Sequence, residues 1–162
     1  MSYLLHPPLL DEVGLAEALR WYTQGLMERS KLDIKLTILD DFGRLPRDME
    51  LVMFRLVQEC LTNIHRHSGS KTALITIQRQ TDSIALDIKD EGKGMSVTEL
   101  AEIQSGAAGV GIRGMRERVR QFDGSMNIAS DRGGTTISFK IPLAEADAPK
   151  QLDAGQQLEA VG

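Results

Sequence analysis

The sequence predicts a two-layer α/β sandwich, a mixed and mostly antiparallel five-stranded sheet with three helices on one face. Three observations carry this reading. Five stretches alternate apolar and polar residues at the strand period of two. Four of them fall in adjacent pairs, 71–79 with 83–90 and 125–130 with 134–141, each pair joined by a short turn. Three other stretches space their apolar residues by three and four, the helix period. Adjacent hairpins do not supply repeated strand–helix–strand crossovers, so a doubly wound sheet is excluded. Helices layered on one sheet remain.

Taken in order, the chain opens with Leu5-His6-Pro7-Pro8-Leu9, which the proline pair keeps extended or turning. Residues 14–30 form a helix, with Leu15, Ala18, Leu19, Tyr22, Leu26 and Met27 on one side. Leu32, Ile34, Leu36 and Ile38 alternate in a half-buried strand over 32–39. Leu45-Pro46 opens a long helix that ends near His67-Ser68-Gly69, and its apolar set is Met53, Leu56, Val57, Cys60, Leu61 and Ile64. The first hairpin turns at Thr81-Asp82. Residues 95–110 are rich in glycine, serine and alanine after a short Val97-Thr98-Glu99-Leu100 turn, which reads as a flexible lid. A helix over 111–122 is stopped by Asp123-Gly124, and the second hairpin turns across 131–134. From Ala144 onward alanine, aspartate, glutamine and glutamate follow without periodicity, a disordered tail. The expected organisation is a linker at 1–13, one domain at 14–143 and a tail at 144–162.

Composition narrows the function classes. A chain of 162 residues can bury one real core. Its net charge of -4 leaves no basic footprint for nucleic acid, and an aromatic content of 4% offers no stacking platform for single strands. The single cysteine, Cys60, lies on the apolar side of its helix and reads as a small buried hydrophobe. No intrachain disulfide can form. No apolar run approaches the ~18 residues needed to span a bilayer, so membrane contact by this domain is not expected. No basic-then-apolar signal segment opens the chain.

Three motifs carry chemistry. The first is Glu59-Cys60-Leu61-Thr62-Asn63-Ile64-His65-Arg66-His67 on the long helix. Residues four apart share a helix face, so Glu59, Asn63 and His67 form a polar stripe beside the apolar one, with Arg66 close by. An asparagine carbonyl suits magnesium, which takes oxygen ligands and leaves the rest of its shell to water and phosphate. A glutamate one turn away can accept a proton, and an arginine can meet a phosphate. A plain solvated helix face is the alternative for this stripe.

The second motif, Asp90-Glu91-Gly92-Lys93-Gly94, follows a strand. An aspartate there can accept a hydrogen bond from an exocyclic amine, while glycines let a ring approach the backbone. The alternative is a simple surface turn. The third motif, Gly109-Val110-Gly111-Ile112-Arg113-Gly114-Met115, opens a helix whose free amides can hold anionic oxygens. No strand precedes it, as a dinucleotide fingerprint requires, and no Walker A pattern is present. Arg113, Arg116 and Arg118 add positive charge to this helix.

In their joint order these motifs make the chain resemble the catalytic, ATP-binding domain of two-component sensor histidine kinases, within the superfamily shared with gyrase, heat-shock chaperone and mismatch-repair ATPases. It is most similar to the nitrate-sensor and lipid-fluidity thermosensor subfamily. The likeness covers roughly residues 4–143. Residues 59–67 resemble the N box, 90–94 the first glycine box and 109–118 the second. Gly133-Gly134-Thr135-Thr136 resembles the last box, and Leu5-His6-Pro7 with Gly14-Leu15 the joining segment.

The resemblance implies the histidine kinase ATPase fold, with ATP and Mg2+ as cofactors. It implies that Glu59 is the acid/base residue and Asn63 the metal ligand. Arg66 and His67 would line the phosphates. Asp90 would meet the adenine amine, with Gly94 against the ring, and Gly92 and Met95 would also bind the nucleotide. Gly109, Gly111 and Gly114 would form the lid hinge and phosphate cradle, Val110, Ile112 and Met115 would also bind the nucleotide, and Thr135 would support the adenine end.

The implied partners are the dimerisation and phosphoacceptor helices of a homodimeric kinase and a response regulator. The implied location is cytoplasmic, with any membrane anchor elsewhere in the intact kinase. The family's acceptor histidine sits in an acidic context on a helix. His6, His65 and His67 all lack that context, so the chain reads as starting after the dimerisation helices. Two other readings stay open: a relative that phosphorylates serine, as anti-sigma kinases do, and a nucleotide-gated interaction module without catalysis.

Overall fold

The computed structural model of the chain describes residues 8–38, 43–106 and 109–143. The joining residues 1–7 and the tail from 144 lie outside the described residues. The elements are α1 (Pro8–Arg29), β1 (Asp33–Ile38), α2 (Arg47–Asn63), β2 (Thr72–Arg79), β3 (Ser83–Asp90), α3 (Val97–Gln104), α4 (Val110–Arg120), β4 (Ser125–Asp131) and β5 (Gly134–Pro142). A π-helical turn, Ile64–Ser68, extends α2.

The sheet order is β1-β2-β3-β5-β4. β1 pairs with β2 in parallel, through the crossover that α2 supplies, and the other neighbours are antiparallel. Register aligns like with like. Ile75 faces Ile88, Ile88 faces Ile137, and Ile137 faces Ile128. One apolar row therefore crosses four strands. Every second residue along β2, β3 and β5 is buried: Ala73, Ile75, Ile77, then Ile84, Leu86, Ile88, then Ile137, Phe139, Ile141. The residues between them, such as Thr76, Asp87 and Ser138, are only half-buried. The sheet is covered on one face, as period-two alternation requires.

The helices supply the other half of the core. α2 buries Met53, Phe54, Leu56, Val57, Cys60 and Leu61, while α4 contributes Met115 and Val119. Each such side chain is worth about 1.5–3 kcal/mol of transfer free energy on full burial. The Cys60 thiol is held well above its usual pKa by burial first and by the neighbouring Glu59 carboxylate second. It is a packing group, with Sγ 3.7 Å from Met115 Sδ.

α1 departs from expectation. Pro8 opens the helix instead of extending the chain, because proline at a first helical position forfeits no hydrogen bond. Gly14 then breaks it at φ 86°, ψ 176°. The restart is capped from outside, as the Leu15 amide donates to Glu50 Oε2 at 2.8 Å. Glu50 is 1% exposed, and Arg44 Nη2 reaches its other oxygen at 3.0 Å. A cap from a distant helix is a tertiary device that the local sequence does not spell out.

The second departure is α3. Three helices are expected, and the structure adds a fourth inside the segment read as a lid. α3 buries none of its residues fully. It is held by a capping box: the Glu99 amide donates to Ser96 Oγ at 3.1 Å, and the Ser96 amide donates to Glu99 Oε2 at 2.8 Å. The Ser96 amide first, and its side chain second, hold the Glu99 carboxyl below the usual range. The box is therefore intact above the ordinary glutamate pKa and is lost only as pH falls through the depressed one. Among the described residues, no helix is long and apolar enough to cross a membrane.

Candidate functional site

A cavity of about 560 Å³ opens between the end of α2, the end of the sheet and the α3–α4 segment. Strand parity explains its floor. Asp90 lies two residues beyond Ile88, and Thr135 two before Ile137, so both point to the helical face. There the helices no longer cover the sheet. Asp90 is 6% and Thr135 7% exposed, polar residues at core positions on adjacent strands. Ile88 and Ile137 form the apolar floor beside them, and Ile64, Ile103, Ile112 and Cys60 complete the apolar lining.

The turn after β3 is held residue by residue. The Gly92 amide donates to Asp90 Oδ1 at 2.9 Å, and the Glu91 amide to Ser70 Oγ at 3.0 Å. The Lys93 amide donates to the Ser68 carbonyl at 3.0 Å, and the Met95 amide to Ser130 Oγ at 2.7 Å. Gly94 sits at φ 71°, where any Cβ would overlap the Asp131 carbonyl. Among the described residues no other hydrogen bond reaches the Asp90 carboxylate, which leaves its second oxygen for a ligand.

From the α2 side come Asn63 and His67. Asn63 ends the α-helical part and His67 lies in the π-helical turn, so their spacing is not the ideal four-residue stack the sequence suggests. Glu59 is half-buried, one turn earlier. Its carboxylate reaches the start of α4, for a Cβ on Gly111 would lie 2.6 Å from Glu59 Oε1. α4 begins at Val110, and its N-cap Gly109 offers no side-chain bond, so among the described residues no side chain caps its first amides, which suit anionic oxygens. Gly109 and Gly111 both line the cavity.

Of the residues singled out from the sequence, the structure brings Asn63, His67, Asp90, Gly94, Met95, Gly109, Gly111, Ile112 and Thr135 to one cavity. Arg66 is exposed in the π-helical turn and does not line it. Gly92 supports the site from behind, where a Cβ would overlap the Ser68 carbonyl. Met115 is fully buried in the core beneath Cys60. Val110 opens α4, and its side chain lies outside the described residues.

Gly114 faces open space within α4. Gly114→Ala is therefore expected to hold or raise stability by ~0.5–1 kcal/mol, since alanine is the better helix former. A fall in melting temperature would contradict that placement.

Sequence reasoning missed Ser68, Lys93, Glu99 and Glu102, which also border the cavity. Lys93 sits inside the glycine turn and could have been found there as a cation. The two glutamates belong to α3, which the pattern did not reveal.

Known proteins share this chain's family and fold. The family described as histidine kinase-, DNA gyrase B- and HSP90-like ATPase matches residues 49–145. The signal transduction histidine-protein kinase/phosphatase DegS of Bacillus subtilis is 35% identical over 142 residues, which is 85% of this chain and 36% of that protein. Its counterpart in Brevibacillus brevis is 32% identical, over 87% of this chain and 36% of that protein. The chain thus spans little more than a third of the length of these curated relatives. The sensor histidine kinase NarS of Mycobacterium tuberculosis is 28% identical over 88% of this chain and 32% of that protein.

Two solved structures share the fold. The blue-light activated histidine kinase of Erythrobacter litoralis EL346 superposes with a TM-score of 0.60 at 20% identity, over 70% of this chain and 36% of that one. The histidine kinase AdeS of Acinetobacter baumannii gives 0.57 at 17% identity, over 79% and 62%. A match over residues 49–145, on a sheet whose end carries Asp90 and Thr135, makes this chain a member of the histidine kinase-, DNA gyrase B- and HSP90-like ATPases.

Proposed function

We propose that the chain binds ATP with Mg2+ and donates the γ-phosphoryl group to a histidine on a separate dimerisation helix, for relay to a response-regulator aspartate. The carrying observation is that Asp90 and Thr135 lie at core parity in a cavity whose far walls are Asn63 and the uncapped start of α4. The apolar floor suits a purine ring, and the Asp90 carboxylate suits its exocyclic amine. The α4 amides suit phosphate oxygens. The names of the relatives, histidine kinases throughout, favour histidine over serine as acceptor.

The residues present fit a magnesium ion. The Asn63 side chain offers an oxygen ligand in the cavity, and among the described residues no cluster of three His, Cys, Asp or Glu competes to hold a metal by itself. The remaining ligands would be phosphates and water, the usual magnesium arrangement, and the ion would neutralise phosphate charge. Glu59, on α2 with its carboxylate beside the start of α4, accepts the proton of the attacking imidazole. The α3–α4 segment serves as the lid that excludes water. In the intact kinase the partners are a second copy of the kinase and its response regulator.

Titration calorimetry with Mg-ATP tests the binding half. Wild-type protein is expected to bind, and Asp90→Asn to weaken affinity at least about tenfold, ~1.4 kcal/mol. Equal affinities for the two forms would remove Asp90 from the base site.

A further inference from the structure

Ser130 belongs to none of the motifs that mark the site, yet it joins two of its parts. It lies near the end of β4, opposite Thr135 in the β4–β5 register. Its Oγ accepts the Met95 amide hydrogen at 2.7 Å and lies 2.8 Å from Thr135 Oγ1. The Gly134 carbonyl is also within reach, at 3.3 Å. Met95 directly precedes Ser96, the residue that caps α3. Thr135 is the buried hydroxyl on the cavity floor.

Proton counting fixes one bond of this chain of groups and limits the other. The Met95 amide can only donate, so Ser130 Oγ must accept there. Ser130 has a single proton, for which the Gly134 carbonyl at 3.3 Å and Thr135 Oγ1 at 2.8 Å compete, and either hydroxyl of the Ser130–Thr135 pair can be the donor. With that proton on Thr135, the Thr135 hydroxyl keeps its own proton for an acceptor in the cavity. Among the described residues nothing else hydrogen-bonds the Thr135 hydroxyl.

We infer that Ser130 is a positioning residue that couples the root of the lid to the base end of the nucleotide cavity, by fixing the Met95 amide and orienting the Thr135 hydroxyl together. The inference rests on the nucleotide reading above. One side chain then sets both the floor polarity and the place where α3 begins. A ligand that takes the Thr135 proton strengthens the Ser130–Thr135 bond, because hydrogen bonds in a chain polarise one another. The same event tightens the hold on Met95.

The test combines amide exchange with a double-mutant cycle, using Mg-ADP as the probe. In the free protein, Ser130→Ala should speed exchange at the Met95 amide. It should also weaken Mg-ADP binding three- to tenfold. Thr135→Val should weaken binding by a similar factor. The double variant should lose little more than either single one, since both cut the same relay. A Ser130→Ala protein with wild-type affinity and wild-type Met95 exchange would overturn the inference while leaving the nucleotide reading intact. So would losses that simply multiply in the double variant. A wild-type chain that binds no Mg-ADP would overturn the nucleotide reading, and this inference with it.

Discussion

Glu59→Gln is expected to keep nucleotide binding and to lose phosphoryl transfer to a supplied acceptor helix by ~10²–10⁴, the usual contribution of a positioned general base. The substitution preserves shape and removes only the group that can take a proton. Glu59 is not among the residues that line the cavity, and its carboxylate lies instead beside Gly111 at the start of α4, where phosphates would sit. Binding should therefore survive. Asn63→Ala should behave differently, because a lost metal ligand weakens Mg-dependent binding as well as transfer. The two residues are one helical turn apart, so the pair separates proton transfer from metal holding. If Glu59→Gln transfers at the wild-type rate while Asn63→Ala fails, the site works by positioning and metal charge alone.

Gly94→Ala is expected to damage the site's architecture severely. Gly94 combines φ 71° with a Cβ position that overlaps the Asp131 carbonyl. Left-handed backbone costs an alanine ~1–2 kcal/mol. Forcing a methyl into packed backbone adds about 1–3 kcal/mol, and the two nearest atoms, the Asp131 carbonyl oxygen and carbon, are backbone. A total near ~2–5 kcal/mol would fall on the turn that carries Asp90, Met95 and the lid root. Chemical denaturation should show the loss, and nucleotide affinity should fall with it. Gly109 offers the control, for it has φ -62° and open space around its Cβ position. A Gly94→Ala protein as stable as Gly109→Ala would contradict this account of the turn.

These contrasts also mark what the sequence reveals and what it hides. Strands announce themselves because one face of the sheet is buried, and burial on one face imposes alternation. By the same logic Asp90 and Thr135 stand out as polar residues in phase with the core, which is a readable sign of a site. α3 is different. It buries no residue fully, and its apolar residues Val97, Leu100 and Ile103 span too few turns to mark a period, so Ser96 and Glu99 at capping-box spacing are its clearer sign. The break at Gly14 depends on Glu50, thirty-five positions from the Leu15 amide it accepts. The π-helical turn at Ile64–Ser68 shifts His67 away from ideal spacing, and no residue there is unusual for an α-helix. Ser130 is invisible for another reason. Its role arises only when β4 pairs with β5 and the turn after β3 folds back on both.

The most direct test of phosphoryl donation is to incubate the chain with γ-labelled ATP, Mg2+ and a separately supplied dimerisation helix from a related kinase. The nature of the phosphate on that helix is then determined. The account predicts a labelled helix whose phosphate is lost in acid and kept in base, the behaviour of phosphohistidine. Label that survives acid would mean transfer to a hydroxyl. A helix that stays unlabelled while the chain binds Mg-ATP would leave a nucleotide-gated module without catalysis, and either result would contradict histidine phosphorylation.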